Sequence, residues 1–339
     1  MLSTKPRLRR RSAWAVPTPS NRPVRVLYIG GLGRSGTTLL DRMLGQLPGF
    51  FSAGELVHLW ARGLRGERCG CGATFLHCEF WGEVGRRAFG NWQNVDVDRL
   101  LQLQRRVDRS RAIPGMLMPA WPPYRQALTE YVSILARLYA AISDVTGGAI
   151  IIDSSKHPSY AFLLRRVPVV SLRVVQMVRG SHGVAYSWTK VVERPEVVDR
   201  LEHMPRYSPL HSATWWTAYN SLLQALPAVG TPSLVVQYEH LVNRPREELE
   251  RILELAEQAD GRAAVNGFVS GHRVHLERSH MVAGNPMRFR QGEIQLRLDD
   301  EWQLRMPPLH RLLVTMVSWP MLHRFGYAAS GTSNLCRGR

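Results

Sequence analysis

The run Gly31-Leu32-Gly33-Arg34-Ser35-Gly36-Thr37-Thr38 has the residue types of an anion site. It follows the apolar segment Val24–Ile29 and opens into an amphipathic stretch read as a helix over Ser35–Leu47. That order aims backbone N–H groups and the positive end of a helix at one spot. Arg34 adds a fixed fork of donors, and Thr37 and Thr38 add hydroxyls. The spacing Gly31-x-x-x-x-Gly36 matches a Walker A loop, but Thr37 stands where the nucleotide-binding lysine belongs. The loop therefore reads as a phosphate cradle, and the missing lysine argues against an ordinary ATPase or kinase. A tight turn that merely needs glycine is the plain alternative; Arg34, Ser35, Thr37 and Thr38 together favour the anion site.

A second group of residues fits the same ligand class. Arg179 ends the apolar strand Leu172–Val178, and Ser187 lies eight residues later in a helix read over Val184–Val192. A turn plus about one helical turn brings both side chains to one phosphate. Lys156 closes Ile152-Asp153-Ser154-Ser155-Lys156, just past the apolar strand Ala149–Ile152. Asp153 mimics a Walker B acid; without the Walker lysine it is read as capping the Ser154–Pro158 turn or ordering Lys156. Glu55 follows a short strand, Phe50–Ser52, and Gly54.

Elements must hold these residues together. Apolar strands alternate with helices along the chain: Pro122–Ser143 and Tyr160–Arg166 read as helices, Ser233–Gln237 as a strand ending in Tyr238-Glu239, and Pro245–Ala259 as a helix. Polar residues gather where each strand ends. The pattern predicts an α/β fold, a P-loop-type, doubly wound parallel sheet flanked by helices, with its site at the carboxyl edge. Residues 24–327 form one domain in this reading, with an insertion or lid over about 56–121. Residues 1–23 read as a disordered basic leader, or less readily an arginine-rich presequence, and 328–339 as a flexible tail.

Composition narrows the function classes. With 45% hydrophobic residues and only 21% charged, the chain can bury a large core. Its net charge is +17, and about +10 remains without the seven Lys and Arg of the first 25 residues. The folded part is therefore basic itself and suits an anionic ligand. Four cysteines do not make a disulfide scaffold, and no segment reaches the roughly 18 apolar residues of a membrane span. A cytoplasmic protein is expected.

The motifs resemble those of the sulfotransferase family that uses 3′-phosphoadenosine-5′-phosphosulfate (PAPS). Gly33-Arg34-Ser35-Gly36-Thr37-Thr38-Leu39 looks like the family's 5′-phosphosulfate loop, and Arg179 with Ser187 looks like its 3′-phosphate motif. Val235–Leu241 resembles a later strand whose tyrosine, here Tyr238, lies near the nucleotide. Gly284–Arg290, which carries Arg288, through Asp299-Asp300-Glu301-Trp302 resembles the C-terminal loop that closes over it. Arginine in the first loop is closer to the bacterial and Golgi-type branch than to the cytosolic one.

The resemblance implies in-line sulfuryl transfer from PAPS to a hydroxyl, less readily an amine, leaving 3′-phosphoadenosine-5′-phosphate. Charge grows on the leaving phosphate, so Arg34, the Thr37/Thr38 loop and Lys156 would stabilise it without a metal. Glu55 stands where that branch carries its base, and partial burial raising its pKa would suit the role. His58, His77 and His157 are the alternative bases of the cytosolic pattern.

The acceptor, a small molecule, lipid, carbohydrate or peptide, is not legible; Trp215-Trp216, Tyr207 and Tyr219 are candidates to line its pocket. Cys69-x-Cys71-x₆-Cys78, with His77 adjacent, is not a standard zinc spacing, and a structural cluster or local disulfide fits as well. The alternative function is a P-loop kinase or NTPase with a degenerate Walker A loop. A basic nucleic-acid binder lacks a recognition motif, so no specific nucleic acid is expected; the leader could touch anionic membranes weakly.

Overall fold

The computed structural model describes residues 22–197, 201–258 and 261–327. Most of the basic leader and the tail from residue 328 lie outside them. The order is β1 Val24–Gly30, α1 Thr37–Leu44, β2 Phe50–Gly54, α2 Glu79–Phe89, α3 Val97–Val107, α4 Ile113–Leu117, α5 Pro122–Val145, β3 Ile150–Lys156, α6 Pro158–Leu164 and β4 Val170–Val178. There follow α7 Ser181–Ser187, α8 Pro209–Gln224, β5 Ser233–Gln237, α9 Tyr238–Asn243, α10 Pro245–Leu255 and α11 Arg262–Phe268. The small strands β6 Val269–Ser270, β7 Arg273–Leu276 and β8 Gly292–Gln295 come next, before α12 Trp302–Arg305 and α13 Pro308–Arg324.

Strands β1 to β5 form one sheet in the order β2-β3-β1-β4-β5, every pair parallel. The period of two along each strand divides the core between its faces. Val26 and Tyr28 of β1, Ile151 of β3 and Val174 of β4 enter one apolar cluster with α5 and α6. Leu27 and Ile29, Ile150 and Ile152, Val175 and Met177 enter another with α1 and α10. The segment between β2 and α5 supplies Trp60, Phe75 and Trp81 to the first cluster. Among the described residues no helix is long and apolar enough to cross a membrane.

The order of strand addition reverses at β1. Its exit leads through α1 to β2 on one side, while the exit of neighbouring β4 leads to β5 on the other. A crevice opens above the carboxyl ends at such a switch point. The register places Gly30 opposite Lys156 of β3 and opposite Gln176 of β4, so β1 and β3 end at one level and β4 runs two residues further before Arg179. Two irregularities refine the edge. The β1–β3 register shifts between Tyr28 and Gly30, and the β2–β3 register shifts between Ser52 and Gly54. Bulges of this kind re-aim the side chains that follow them. Here those side chains are Lys156 and Glu55.

Several boundaries differ from the sequence reading. α1 begins at Thr37, because Gly36 is left-handed at φ 88° and the loop before it must stay non-helical to present its N–H groups. β3 runs on to Lys156, so Asp153 lies inside the strand. α7 covers Ser181–Ser187 and stops well short of Val192. There the Trp188 indole turns back and donates to the Gly33 carbonyl at 3.1 Å.

Candidate active site

The loop after β1 lies in a cavity of about 620 Å³ above the switch point. Gly33, Arg34, Gly36, Thr37 and Thr38 form its floor, and the buried Ser35 hydroxyl sits behind it without a partner. Two glycines are required by contact. A Cβ at Gly36 would lie 2.6 Å from the Tyr238 ring, and one at Gly33 would lie 2.7 Å from Trp188. Arg34 is non-glycine at φ 74°, a strained conformation of the kind kept at functional sites. Its Nε and Nη2 are buried without a hydrogen-bond partner among the described residues, although the guanidinium lies 5.0 Å from the Trp188 ring centre. Burial and the facing Arg179 both depress the pKa of Arg34. Arg34 thus brings to the site two donors that no described residue satisfies.

From β4, Arg179 reaches the same cavity, and Ser187 and Tyr238 line it too. The Arg179 guanidinium stacks 4.7 Å from the Tyr238 ring centre and pairs with the Asp299 carboxylate at 3.2 Å. It also donates to the carbonyls of Asp299 at 2.6 Å and Arg34 at 3.2 Å.

In the same cavity, Glu55 and Lys156 form a direct ion pair, both largely buried. Lys156 has φ 71°, the second strained non-glycine residue at this edge. Burial alone would raise the Glu55 carboxyl, but the Lys156 ammonium, helped by the Arg62 guanidinium, outweighs it and holds the group down at about 2. His58 Nε2 lies 3.4 Å from the other carboxylate oxygen. Burial and Arg62 lower His58 to about 3, so at neutral pH it lies beside Glu55 as an uncharged ring. His157, on the same wall, is lowered by burial to about 4. The sequence reading of a carboxyl raised by burial is therefore corrected: Glu55 is ionised, and its partner is Lys156.

These motifs sit on one contiguous stretch that matches known proteins. Residues 27–259, more than two thirds of the chain, match the Sulfotransferase family. The chain belongs to that family. The sulfotransferase domain of an olefin synthase from Synechococcus PCC 7002 is 20% identical, over 91% of this chain and 98% of that one, with a TM-score of 0.51. The sulfotransferase domain from the curacin biosynthetic pathway is 16% identical, over 88% and 99%, with a TM-score of 0.46. At such identity the first shows a shared fold. No curated protein matches the chain.

One residue expected at the cofactor of this sulfotransferase lies elsewhere. Arg288 is buried outside the cavity wall, where its guanidinium donates to the carbonyls of Val282 at 2.5 Å, Met281 at 3.3 Å and Arg68 at 3.0 Å. Its neighbours Gly284, Asn285 and Met287 do line the cavity. Arg42 of α1 clamps the same loop by donating to the carbonyls of Met287, Arg288 and Arg290 at 2.6–3.1 Å. Both arginines donate to backbone carbonyls of this C-terminal stretch and so hold it in place.

Aromatic residues make the remaining wall. Tyr207, Trp215 and Tyr219 line the cavity, with the Trp215 and Tyr219 rings parallel at 6.1 Å and Tyr207 at 5.7 Å from Trp215. Trp216 is in the core instead, where its indole donates to the Arg179 carbonyl at 2.9 Å and so fixes that strand end. His211 and Met204 also line this wall and were not singled out by their spacing.

Beneath the loop, buried carboxyls tie α1 to the sheet. Asp41 accepts from Ser52 and Ser154, each at 2.5 Å. Asp153 accepts from the Tyr139 hydroxyl and from the hydroxyl and N–H of Ser155. Burial raises Asp41 to about 7 and Asp153 to about 6 against the serine and tyrosine hydrogen bonds. In the unfolded chain both ionise near pH 4. Below that pH neither affects stability. As pH rises from about 4 to about 7 the unfolded state sheds protons that the folded state retains, and stability falls. Asp41→Asn should therefore stabilise the sulfotransferase at pH 8, by on the order of 4 kcal/mol at most, with the gain vanishing at pH 4. Denaturant melts at the two pH values check this; an equal effect at both would show that Asp41 does not titrate in the fold.

Proposed function

We propose that this sulfotransferase takes its sulfuryl group from PAPS and passes it to a hydroxyl held against the aromatic wall. The observation that carries the reading is the pair of buried Arg34 donors without a partner among the described residues, in one cavity with the Glu55–Lys156 pair. The residues present fit such a donor. The β1 loop is a cradle that a Cβ at Gly36 would fill, and its N–H groups and Arg34 suit a 5′-phosphosulfate. Arg179 and Ser187 suit a 3′-phosphate, with Asp299 releasing the guanidinium when a stronger anion arrives. Tyr238, stacked on Arg179, suits the nucleoside between them.

When bound, PAPS would supply an activated sulfuryl group. An acceptor hydroxyl would form the new O–S bond as the S–O bond to the 5′-phosphate breaks, and Glu55 would take the acceptor proton. Lys156 and Arg34 balance the charge that grows on the leaving oxygen. Glu55 is too weak a base while Lys156 holds it. As Lys156 turns to the leaving oxygen, burial is left as the dominant influence and raises the basicity of Glu55 when the proton must be taken. The pair thus couples the two ends of the transfer.

The NTPase alternative is disfavoured by Asp153. The residue in the Walker B position has both oxygens engaged by Tyr139 and Ser155, so it is not free to hold a magnesium ion. A thermal shift separates the two readings. 3′-Phosphoadenosine-5′-phosphate at 100 times its Kd should raise Tm by about 4 °C without magnesium, and Mg-ATP should not. Stabilisation by Mg-ATP alone would overturn the proposal.

A further inference from the structure

Away from the cavity, three cysteines and a histidine converge on one point. Cys69, Cys71 and Cys78 come from the turn before α2, and His280 comes from the stretch that leads into the Gly284–Arg290 loop. Their three sulfurs and one ring nitrogen all lie within 4.8 Å of one another. Cys71 Sγ is 3.7 Å from Cys78 Sγ, and His280 Nδ1 is 3.3 Å from Cys78 Sγ and 3.9 Å from Cys69 Sγ. All three cysteines are free thiols, and 3.7 Å is far beyond a disulfide bond of about 2.05 Å. The local-disulfide reading of this cluster is therefore set aside.

The spacings are those of a coordination shell. Zinc binds sulfur at about 2.3 Å and imidazole nitrogen at about 2.0 Å, so a tetrahedral site has S···S edges of about 3.8 Å and S···N edges of about 3.5 Å. The Cys71–Cys78 edge of 3.7 Å is close to the first value, and the two edges to His280 lie either side of the second. Apolar packing of buried thiols gives no reason for four ligand atoms to face one centre. The backbone supports them there. Gly72 follows Cys71 at φ 95°, and the Cys69 N–H donates to the Ala73 carbonyl at 2.8 Å. Gly70 donates to the Met281 carbonyl at 2.9 Å, and a Cβ at Gly70 would strike the Ser279 carbonyl. The His280 ring stacks on Phe80 at 5.2 Å, and its carbonyl accepts from the Trp81 indole at 2.8 Å.

We propose that Cys69, Cys71, Cys78 and His280 form a closed, structural zinc site that staples the turn before α2 to the C-terminal loop. Three thiolates and an imidazole suit zinc over magnesium or calcium, and four protein ligands leave no open position for chemistry. The site is separate from sulfuryl transfer and does not depend on the donor. Its role is to order the loop. Arg288 bridges the two segments beside it through the carbonyls of Arg68, Met281 and Val282, and Gly284, Asn285 and Met287 then reach the cavity wall. Sequence spacing hid the site because its fourth ligand lies 202 residues from Cys78.

Metal analysis of the full-length protein, produced with zinc supplied and purified without chelator, tests this. One zinc per chain is expected. Cys78→Ser and His280→Gln should each lose most of it, whereas Cys336→Ser should retain it. Should those variants fail to fold, the wild-type protein serves. Mercurial titration should release one zinc as the cluster thiols react, and chelation should lower Tm by roughly 5 °C or more. Cobalt in place of zinc should give the absorption of a tetrahedral thiolate complex. A folded protein that carries no zinc and gives no such cobalt spectrum overturns the proposal, as does unchanged zinc content in both ligand variants.

Discussion

Glu55→Gln is expected to leave nucleotide binding intact and to lower kcat by about 10²–10⁴-fold, the range for loss of a general base. Glutamine keeps the shape of the side chain and an oxygen for Lys156 but cannot take a proton. Some loss of stability should accompany the change, because a largely buried Lys156 is left without its counter-charge. The control is the thermal shift with 3′-phosphoadenosine-5′-phosphate, which should match that of the wild-type protein. The rate is read as single-turnover transfer of labelled sulfate to a pool of candidate acceptors. Turnover within tenfold of wild type would remove Glu55 as the base and leave His58 or His157, both on the same wall and both neutral at pH 7. The pH profile gives a second reading. A carboxylate held at about 2 in the free protein puts no acid limb on kcat/KM in the range where the fold survives. Lys156→Met should move that limb upward, since it removes the largest influence opposing burial.

The framework of this site was legible in the sequence because each strand carries its own signal. Ser233–Gln237 is a bare apolar strand and forms β5 as read. Alternation of strand and helix predicts a parallel sheet with its site at the carboxyl edge, and the strand order, which it does not fix, places the switch at β1, where the Gly31–Thr38 loop, Arg179 and Lys156 meet. What was not legible depends on distant partners. Ser154 and Ser155 look like the start of a turn, yet both are buried within β3, since Asp41 and Asp153 satisfy their hydroxyls. Arg288 resembles a nucleotide-binding arginine, yet three carbonyls consume its guanidinium. The charge state of Glu55 could not be read either, because Lys156 is 101 residues away and only the bulges in β2 and β3 bring the two together. Trp215 and Trp216 are adjacent and chemically alike, yet helix geometry sends one to the cavity and the other into the core.

Arg34→Ala is expected to separate stability from function. In the protein without ligand, Arg34 holds a left-handed backbone, leaves two buried N–H donors unmet and faces the like charge of Arg179. Each unmet donor costs about 1–3 kcal/mol, whereas the stack on Trp188 returns about 0.5–2 kcal/mol. Truncation should therefore leave Tm unchanged or raise it, despite the alanine still having to adopt the loop's φ. The same truncation removes the guanidinium from the transition state. Loss of one preorganised donor at developing charge costs about 10²–10³ in kcat, and the lost ground-state contact weakens donor binding as well. Both kcat and KM for PAPS should suffer, so kcat/KM should fall further than either alone. Arg34→Lys keeps the charge but not the fork, and should recover binding in part with little of the rate. A marked fall in Tm with normal PAPS kinetics would reverse the assignment. Arg34 would then be a structural residue whose apparent lack of partners had been misread as readiness for an anion.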